Sequence, residues 1–210
     1  MVPVLIKFKK NLFVSFEGPE ASGKSSQIKL LSSFLKKNKI PYLITREPGG
    51  TIVGEKLRKI ILDKKEAITP TEEILLLMSA RLNHINNIIK PALSEGKIVI
   101  SDRFADSTFV YQGFVNKYGL KKTKDLHKDI LKNFLPSKTF LFLLTSKIIN
   151  KRLKQRKISN KYDKIDTYFH NQVIKGYRLI SKNNNRFHLL DATNSVESIH
   201  YEIIKVLSDI

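Results

Sequence analysis

Residues 12–25, L-F-V-S-F-E-G-P-E-A-S-G-K-S, determine the fold of this 210-residue chain. Four of the first six residues are apolar, and the phenylalanines and the valine among them favour β structure, so they predict a buried strand. The next eight match the pattern G-x-x-x-x-G-K-[ST], which binds phosphate groups where a loop joins a strand to a helix. The residues that follow, up to about position 37, have the spacing of an amphipathic helix. The motif therefore stands in the setting that it requires, and we predict a nucleotide-binding loop.

Each part of this loop has a chemical reason. Its small residues allow backbone N–H groups to curl around phosphates, and the helix N-terminus adds a partial positive charge. Lys24 can reach the β- and γ-phosphates, and the hydroxyl of Ser25 can hold Mg²⁺. The predicted ATP-binding residues are Gly18, Pro19, Glu20, Ala21, Ser22, Gly23, Lys24, Ser25 and Ser26.

Short apolar runs alternate with helical patterns along the rest of the chain. Strands are predicted at residues 12–17, 41–45, 98–101, 139–144 and 186–190, and helices at 50–62, 69–94, 123–134, 148–156, 162–181 and 195–207. Strands separated by helices indicate a parallel sheet covered on both faces. We expect an α/β protein with the three-layer fold of P-loop NTPases, in which a five-stranded parallel sheet carries helices on both faces and a short lid. Its length suits a single domain over residues 1–210.

Composition restricts the classes of function. The net charge of +19 fits an anionic partner, but the lysines are spread over predicted helix surfaces without aromatic residues between them. We therefore expect no stable nucleic-acid partner. No apolar run approaches the roughly 20 residues of a membrane span, so we expect a cytoplasmic protein with no membrane partner and a basic N-terminal extension at residues 1–10. The chain has no cysteine, and its five histidines lack the spacing of metal ligands.

Two arginines follow predicted strands. Arg46 lies in T-R-E-P-G-G-T (residues 45–51), and Arg103 lies in S-D-R-F (residues 101–104). Ligands bind at the carboxyl edge of open α/β sheets, and the forked guanidinium group suits phosphate. We predict that both arginines clamp the phosphate of a second, acceptor substrate. The letters of a guanine-recognition motif, N-K-x-D, occur at residues 160–163 but follow a predicted helix, so a GTPase is not indicated.

Four separated motifs occur in the order and with the spacing of one family. They are F-E-G-x-E-x-x-G-K-S from residue 16, T-R-E-P-G-G-T from residue 45, S-A-R within the helix at 69–94, and D-R-F-x-x-S-T-x-x-Y-Q-G from residue 102. The chain resembles the thymidylate kinases from its first strand to its C-terminus. The resemblance implies transfer of the ATP γ-phosphoryl group to dTMP with Mg²⁺, for dTTP synthesis, by a homodimer packed through helices.

The resemblance also assigns contacts to the sugar, the phosphate and the metal. Glu20 would meet the 3′-hydroxyl of dTMP, and Arg46 and Arg103 would hold its phosphate. Asp102 would help Ser25 to organise Mg²⁺.

The implied contacts to the base lie on the long helix and after the D-R motif. Arg81 would bind the thymine edge, Thr108 would read the base, and Tyr111 would crowd the 2′ position of the sugar. Leu77 stands where the family often has an aromatic residue that stacks on thymine. The implied dTMP-binding residues are Glu20, Arg46, Leu77, Arg81, Arg103, Ser107, Thr108, Tyr111 and Gln112.

A lid region, about residues 147–166, completes the resemblance. Some members carry an arginine just after the acidic residue of the loop, where this chain has Ala21, and bacterial-type members have lid arginines instead. Arg152 and Arg156 match them and precede a stretch, residues 157–161, that we predict to be mobile, as we do residues 182–185. Another common lid arginine is replaced by Lys164. The implied catalytic residues are Lys24, Arg103, Arg152 and Arg156.

Two other functions remain open from the sequence. A deoxynucleoside kinase would share the P-loop and the strand-end arginines, and Glu47 could serve as the base that its hydroxyl acceptor needs. A nucleic-acid-binding ATPase would account for the positive charge. A phosphate acceptor with a second pKa of about 6 needs no base, because it is mostly dianionic at neutral pH.

Overall fold

The structure is a computed structural model, and it describes residues 8–63, 68–155 and 167–210. The strands of the described part form one parallel sheet in the order β2-β3-β1-β4-β5. They are β1 (Phe13–Glu17), β2 (Tyr42–Arg46), β3 (Ile98–Asp102), β4 (Lys138–Leu143) and β5 (Phe187–Asp191). The central strand is β1, which pairs with β3 and β4. The predicted five-stranded parallel sheet is confirmed.

Helices connect the strands. They are α1 (Lys24–Lys37), α2 (Ile52–Leu62), α3 (Pro70–His84), α4 (Lys90–Ser94), α5 (Ala105–Thr108), α6 (Leu120–Leu131), α7 (Ser146–Lys154), α8 (Thr167–Ser181) and α9 (Val196–Ser208). A π-helical segment, π1 (Ile85–Ile89), joins α3 to α4, and a second one, π2 (Phe109–Val115), continues α5. In the described ranges, no helix has both the length and the apolar character to cross a membrane.

The long helix begins where the sequence predicts. The Thr69 hydroxyl accepts a hydrogen bond from the Glu72 backbone N–H (3.2 Å), and the Glu72 carboxylate accepts one from the Thr69 N–H (2.7 Å). Pro70 occupies the first helical position, where its missing N–H costs nothing. This reciprocal cap supports the start of α3, whose other end lies in the candidate site.

Apolar side chains pack on both faces of the sheet. On one face, Leu31 of α1 and Ile203 of α9 belong to one buried cluster with Phe140 of β4. On the other face, Met78 of α3 and Val110 of π2 belong to a second buried cluster. Full burial of one such side chain stabilises a fold by about 1.5–3 kcal/mol. The sheet is thus covered on both faces, and the predicted three-layer architecture is confirmed.

The helices differ from the sequence prediction most clearly in two regions. Helix α6 begins at residue 120 rather than 123, after Gly119 at a φ of 108°, and Lys132 with a φ of 50° ends it. Residues 105–115 are helical. No helix was predicted there, and their aromatic and β-branched residues favour strands. Gly176 of α8 allows close packing in this region, since an added Cβ would lie 2.9 Å from Val110.

Candidate active site

The phosphate-binding loop joins β1 to α1. Its first glycine, Gly18, lies against β4, because an added Cβ would be 2.5 Å from the carbonyl oxygen of Phe142. The last glycine, Gly23, has a φ of 96°, a left-handed conformation that glycine adopts readily. The chain therefore turns tightly enough to place Lys24 at the first position of α1.

Lys24 is buried inside its own loop. Its Nζ donates to the carbonyl oxygens of Gly18 (3.0 Å) and Pro19 (2.7 Å) and to the hydroxyl of Ser22 (3.2 Å). Burial, and next the positive charge of Arg103, lower the pKa of Lys24 to about 8. The ammonium group is thus charged at neutral pH but lacks full hydration, which favours a phosphate as its partner.

A hydroxyl and a carboxylate meet beside this loop. Ser25 at the start of α1 donates to Asp102 at the end of β3, at 3.2 Å. Oxygen donors of this kind fit Mg²⁺, which usually binds one or two carboxylates together with substrate phosphates and water. Within the described ranges, no group of three or more His, Cys, Asp or Glu side chains could hold a metal. A magnesium ion here would therefore take further ligands from phosphate and water.

Arg103, which follows β3, lines the same cavity as the loop and contacts it through Glu20. Its Nη2 donates to Glu20 (2.8 Å), and its Nη1 donates to Ser107 (3.0 Å). The hydroxyl of Tyr111 donates to the other oxygen of Glu20 at 2.7 Å, and the Arg103 guanidinium lies 5.3 Å from the centre of the Tyr111 ring. The structure thus brings together three residues to which the resemblance assigns the sugar and the phosphate.

The second strand-end arginine is more exposed. Arg46 donates to Glu55 of α2 at 3.0 Å, and its side chain is 55% exposed. Next to it, Arg58 of α2 donates to the carbonyl oxygen of Pro48 at 2.7 Å and lines the same cavity. Sequence reasoning missed Arg58, although it is one of only eight arginines and closely follows the T-R-E-P-G-G-T motif.

A buried chain of polar groups holds Arg81. Its Nε donates to Glu47 at 2.6 Å, and its Nη2 donates to Thr108 at 2.8 Å. The other oxygen of Glu47 lies 3.0 Å from Nδ1 of His84, whose Nε2 lies 2.6 Å from the hydroxyl of Thr45. A proton on Nδ1 satisfies Glu47 and leaves Nε2 to accept from Thr45. Sequence reasoning missed His84 and treated Glu47 only as a base.

Residues of the loop, of the strand ends and of α3 line one cavity of about 680 Å³, a size typical of small-molecule sites. Leu77 is 6% exposed and lines this cavity together with Arg81, one helical turn further along α3. The predicted site residues on its wall are Glu20, Ala21, Ser22, Gly23, Lys24, Ser25, Ser26, Arg46, Leu77, Arg81, Asp102, Arg103, Ser107, Thr108, Tyr111, Gln112 and Arg152.

Arg152 approaches the phosphate-binding loop from α7. Its Nη1 donates to the carbonyl oxygen of Ala21 (3.2 Å), and its Nη2 donates to that of Ala192, after β5 (3.0 Å). Several sequence predictions lie outside the described residues: Arg156, the stretch 157–161, the N-K-x-D letters at 160–163, Lys164 and residues 1–7 of the N-terminal extension.

Glu17, at the end of β1, is a buried carboxylate that sequence reasoning did not use. Its oxygens accept hydrogen bonds from the Phe104 backbone N–H (2.6 Å) and from the hydroxyls of Ser107 (2.6 Å) and Tyr177 (3.0 Å). Burial and the negative charge of Asp106 raise the pKa of Glu17 to about 7, although Arg103 and the hydrogen bonds from Ser107 and Phe104 act in the opposite direction. Its buried position behind the cavity has no signal in the sequence.

This raised pKa predicts a pH-dependent stability. Between pH 5 and pH 8 the folded protein loses the Glu17 proton, whereas the unfolded chain has already lost it near pH 4.5. Wild-type protein should therefore lose about 3 kcal/mol of unfolding free energy over this range relative to Glu17→Gln, which cannot titrate. Urea unfolding at both pH values measures this difference, with the exposed Glu197→Gln as the matched control. A difference that is constant or grows with pH would contradict the raised pKa.

The position of Leu77 gives a second prediction. A phenylalanine at this position would supply the π-face that leucine lacks, and base–aromatic stacking is worth about 1–3 kcal/mol. Leu77→Phe should bind dTMP up to about tenfold more tightly with unchanged ATP affinity, measured by calorimetry. Leu75→Phe, at an exposed position of the same helix, is the matched control. If folded Leu77→Phe and Leu77→Ala both bind dTMP as the wild type does, Leu77 is not at the thymine wall.

A P-loop between β1 and α1, with two strand-end arginines in the same cavity, defines the class of P-loop nucleotide kinases. The family model of thymidylate kinase matches residues 16–203. The chain belongs to the thymidylate kinase family.

Individual relatives agree with this assignment. A thymidylate kinase of Caldanaerobacter subterraneus subsp. tengcongensis is 40% identical over 198 residues, which cover 94% of this chain and 95% of that protein. Another, from Rickettsia bellii, is 40% identical over 176 residues, 84% of each chain. The crystal structure of thymidylate kinase from Ehrlichia chaffeensis matches with a TM-score of 0.75 and 32% identity, covering 94% of this chain and 98% of that one.

Proposed function

We propose that this chain transfers the γ-phosphoryl group of ATP to dTMP, which yields ADP and dTDP. The observation that carries the proposal is a single cavity with two phosphate-binding elements. The P-loop with Lys24 and the two strand-end arginines, Arg46 and Arg103, all line it. Two anionic substrates can thus be bound facing one another, as in-line transfer requires.

The chemistry consists of positioning and charge neutralisation. The acceptor phosphate is mostly dianionic at neutral pH, so no side chain has to remove a proton from it. Lys24 lies within the P-loop and Arg152 contacts it, so both can neutralise the negative charge that is shared during transfer. Arg103 orients the acceptor. Mg²⁺, held by Ser25 and Asp102 with phosphate and water, would neutralise charge on the transferred group.

The acceptor side suits a nucleoside monophosphate such as dTMP. Glu20 already accepts hydrogen bonds from Arg103 and Tyr111, and its carboxylate can accept one from the 3′-hydroxyl. Arg81 is held rigidly between Glu47 and Thr108, so it can present its guanidinium to the thymine edge with little loss of entropy.

The structure gives less support to the alternative function, a deoxynucleoside kinase. It would need Glu47 as the base, but both of its oxygens are engaged by Arg81 and His84 in a buried network.

An ADP-release assay with dTMP, thymidine and other nucleoside monophosphates tests the proposal. Rapid ADP release with dTMP and little with thymidine supports it, whereas the reverse would make the chain a nucleoside kinase.

Exposed apolar side chains support a helix-packed homodimer. They lie on α2 and α3: Ile52, Val53, Ile60, Leu75 and Leu82 are each at least 40% exposed. Such side chains gain by packing against a second copy. The dimer, the cytoplasmic location and the absence of a nucleic-acid partner remain predictions.

A further inference from the structure

Tyr177 belongs to none of the four sequence motifs, yet it contacts the acceptor side of the site from behind. It lies on α8 and is fully buried. Its hydroxyl is 3.0 Å from an oxygen of Glu17, 2.9 Å from the hydroxyl of Ser107, and 3.3 Å from Nη1 of Arg103. Neither Tyr177 nor Glu17 lines the cavity. Both therefore stand one layer behind the groups that face the substrates.

The hydrogen bonds around Glu17 have a definite direction. Above about pH 7, where Glu17 is ionised, its carboxylate is the strongest acceptor beside the single hydroxyl protons of Tyr177 and Ser107. Their protons therefore point to Glu17, and their oxygens can accept from Nη1 of Arg103. Glu17 thus orients both hydroxyls as acceptors for the guanidinium.

Arg103 depends on such support. Its φ of 69° lies in the left-handed region, which is strained for a residue with a side chain. The backbone N–H of Arg103 donates to the carbonyl oxygen of Phe16 at 3.0 Å, and the backbone N–H of Phe104 donates to Glu17. The guanidinium is held on one side by Glu20 and on the other by Ser107 and Tyr177. Glu17 therefore fixes both the backbone turn and the side chain.

We propose that Tyr177, oriented by Glu17, is a positioning residue that fixes the Arg103 guanidinium for the phosphate of the acceptor nucleotide. This inference rests on the proposed function, since it presumes that Arg103 contacts that phosphate. Tyr177 acts through Arg103 and does not touch the substrate. Its effect should therefore appear only with ligands that carry the phosphate.

Tyr177→Phe tests the inference, because it removes one hydroxyl and keeps the buried ring. The loss of one hydrogen bond to a charged group should raise the dissociation constant of dTMP about tenfold. The dissociation constants of thymidine and of ATP should stay within about twofold, since neither depends on the acceptor-phosphate position. Calorimetry with the three ligands at pH 8, where Glu17 is ionised, measures all of these values.

Ser15→Ala provides the matched control. It also removes a buried hydroxyl. Ser15 lies on β1, the strand that carries Glu17, and its hydroxyl forms a hydrogen bond with the hydroxyl of Thr139 at 3.0 Å. This variant should lower the melting temperature while keeping the wild-type preference for dTMP over thymidine. In an Arg103→Ala background, Tyr177→Phe should have no further effect on dTMP binding, because the residue through which it acts is gone.

The outcomes separate this inference from the proposed function. Wild-type protein that binds thymidine as tightly as dTMP would overturn the proposed function. A wild type that prefers dTMP, with a folded Tyr177→Phe that keeps the full preference, would overturn the role of Tyr177. If circular dichroism shows that Tyr177→Phe is unfolded, Glu17→Asp carries the test. It keeps the charge but withdraws the carboxylate by one methylene, and it should lose the preference to a similar extent.

Discussion

Lys24→Ala should lower kcat by at least about 10²–10³-fold while the protein stays folded. The ammonium group lies inside the phosphate-binding loop and donates hydrogen bonds to the Gly18 and Pro19 carbonyl oxygens. From there it can neutralise the negative charge that develops on the transferred group. Burial lowers the pKa of Lys24 to about 8, so the buried ammonium group destabilises the fold at pH 7. This destabilisation decreases only as the pH rises above 8 and the folded protein loses the proton. Removing it should not lower the melting temperature at pH 7.

Steady-state rates at saturating ATP and dTMP measure this effect. Lys29→Ala is the matched control, because Lys29 lies on the same helix but is exposed. Circular dichroism establishes that each variant is folded. Near-normal turnover of Lys24→Ala would contradict the assignment of the phosphate-binding loop.

Replacing Arg152 and Arg156 together by alanine should lower kcat by about 10³-fold or more, with a smaller effect on dTMP affinity. Arginines that reach a transferring phosphoryl group contribute about 10³- to 10⁵-fold in other enzymes. Arg152 already contacts the loop, since its Nη1 donates to the Ala21 carbonyl oxygen at 3.2 Å. Its charge is therefore placed to act during transfer rather than in acceptor binding.

The single variant Arg152→Ala separates the described arginine from Arg156. Lys151→Ala, an exposed neighbour on α7, controls for a simple loss of positive charge. We expect single-turnover rates to fall for the arginine variants and to stay normal for Lys151→Ala. An unchanged kcat in the double variant would make both arginines ordinary surface residues.

The fold was largely predictable because its signals are local. The strand at residues 12–17, the loop that follows it and the cap at Thr69 each depend on neighbours in the sequence. Residues 105–115 were not predictable, since a β-favouring run becomes helical only through packing against α8, where Gly176 admits Val110. Tertiary contacts override propensity at such a position.

The candidate site was predictable where a strand-end motif carries it. Arg46 and Arg103 follow their strands and line the cavity with the P-loop. The supporting groups were not predictable, because Glu47 and His84, or Glu17 and Tyr177, are far apart in the sequence and meet only in the folded chain. Their residue types are common in proteins, so their supporting role can be recognised only from their burial and their hydrogen-bond partners in the structure.

Phosphorus NMR of the protein mixed with ATP, Mg²⁺ and dTMP tests the central claim most directly. The account predicts that the dTMP resonance is replaced by the two coupled resonances of dTDP while ADP forms in equal amount. Inorganic phosphate should not accumulate, because the transferred group passes to dTMP rather than to water. ATP consumption that produces inorganic phosphate and leaves dTMP unchanged would contradict the account, and stimulation of that reaction by nucleic acid would make the chain an ATPase.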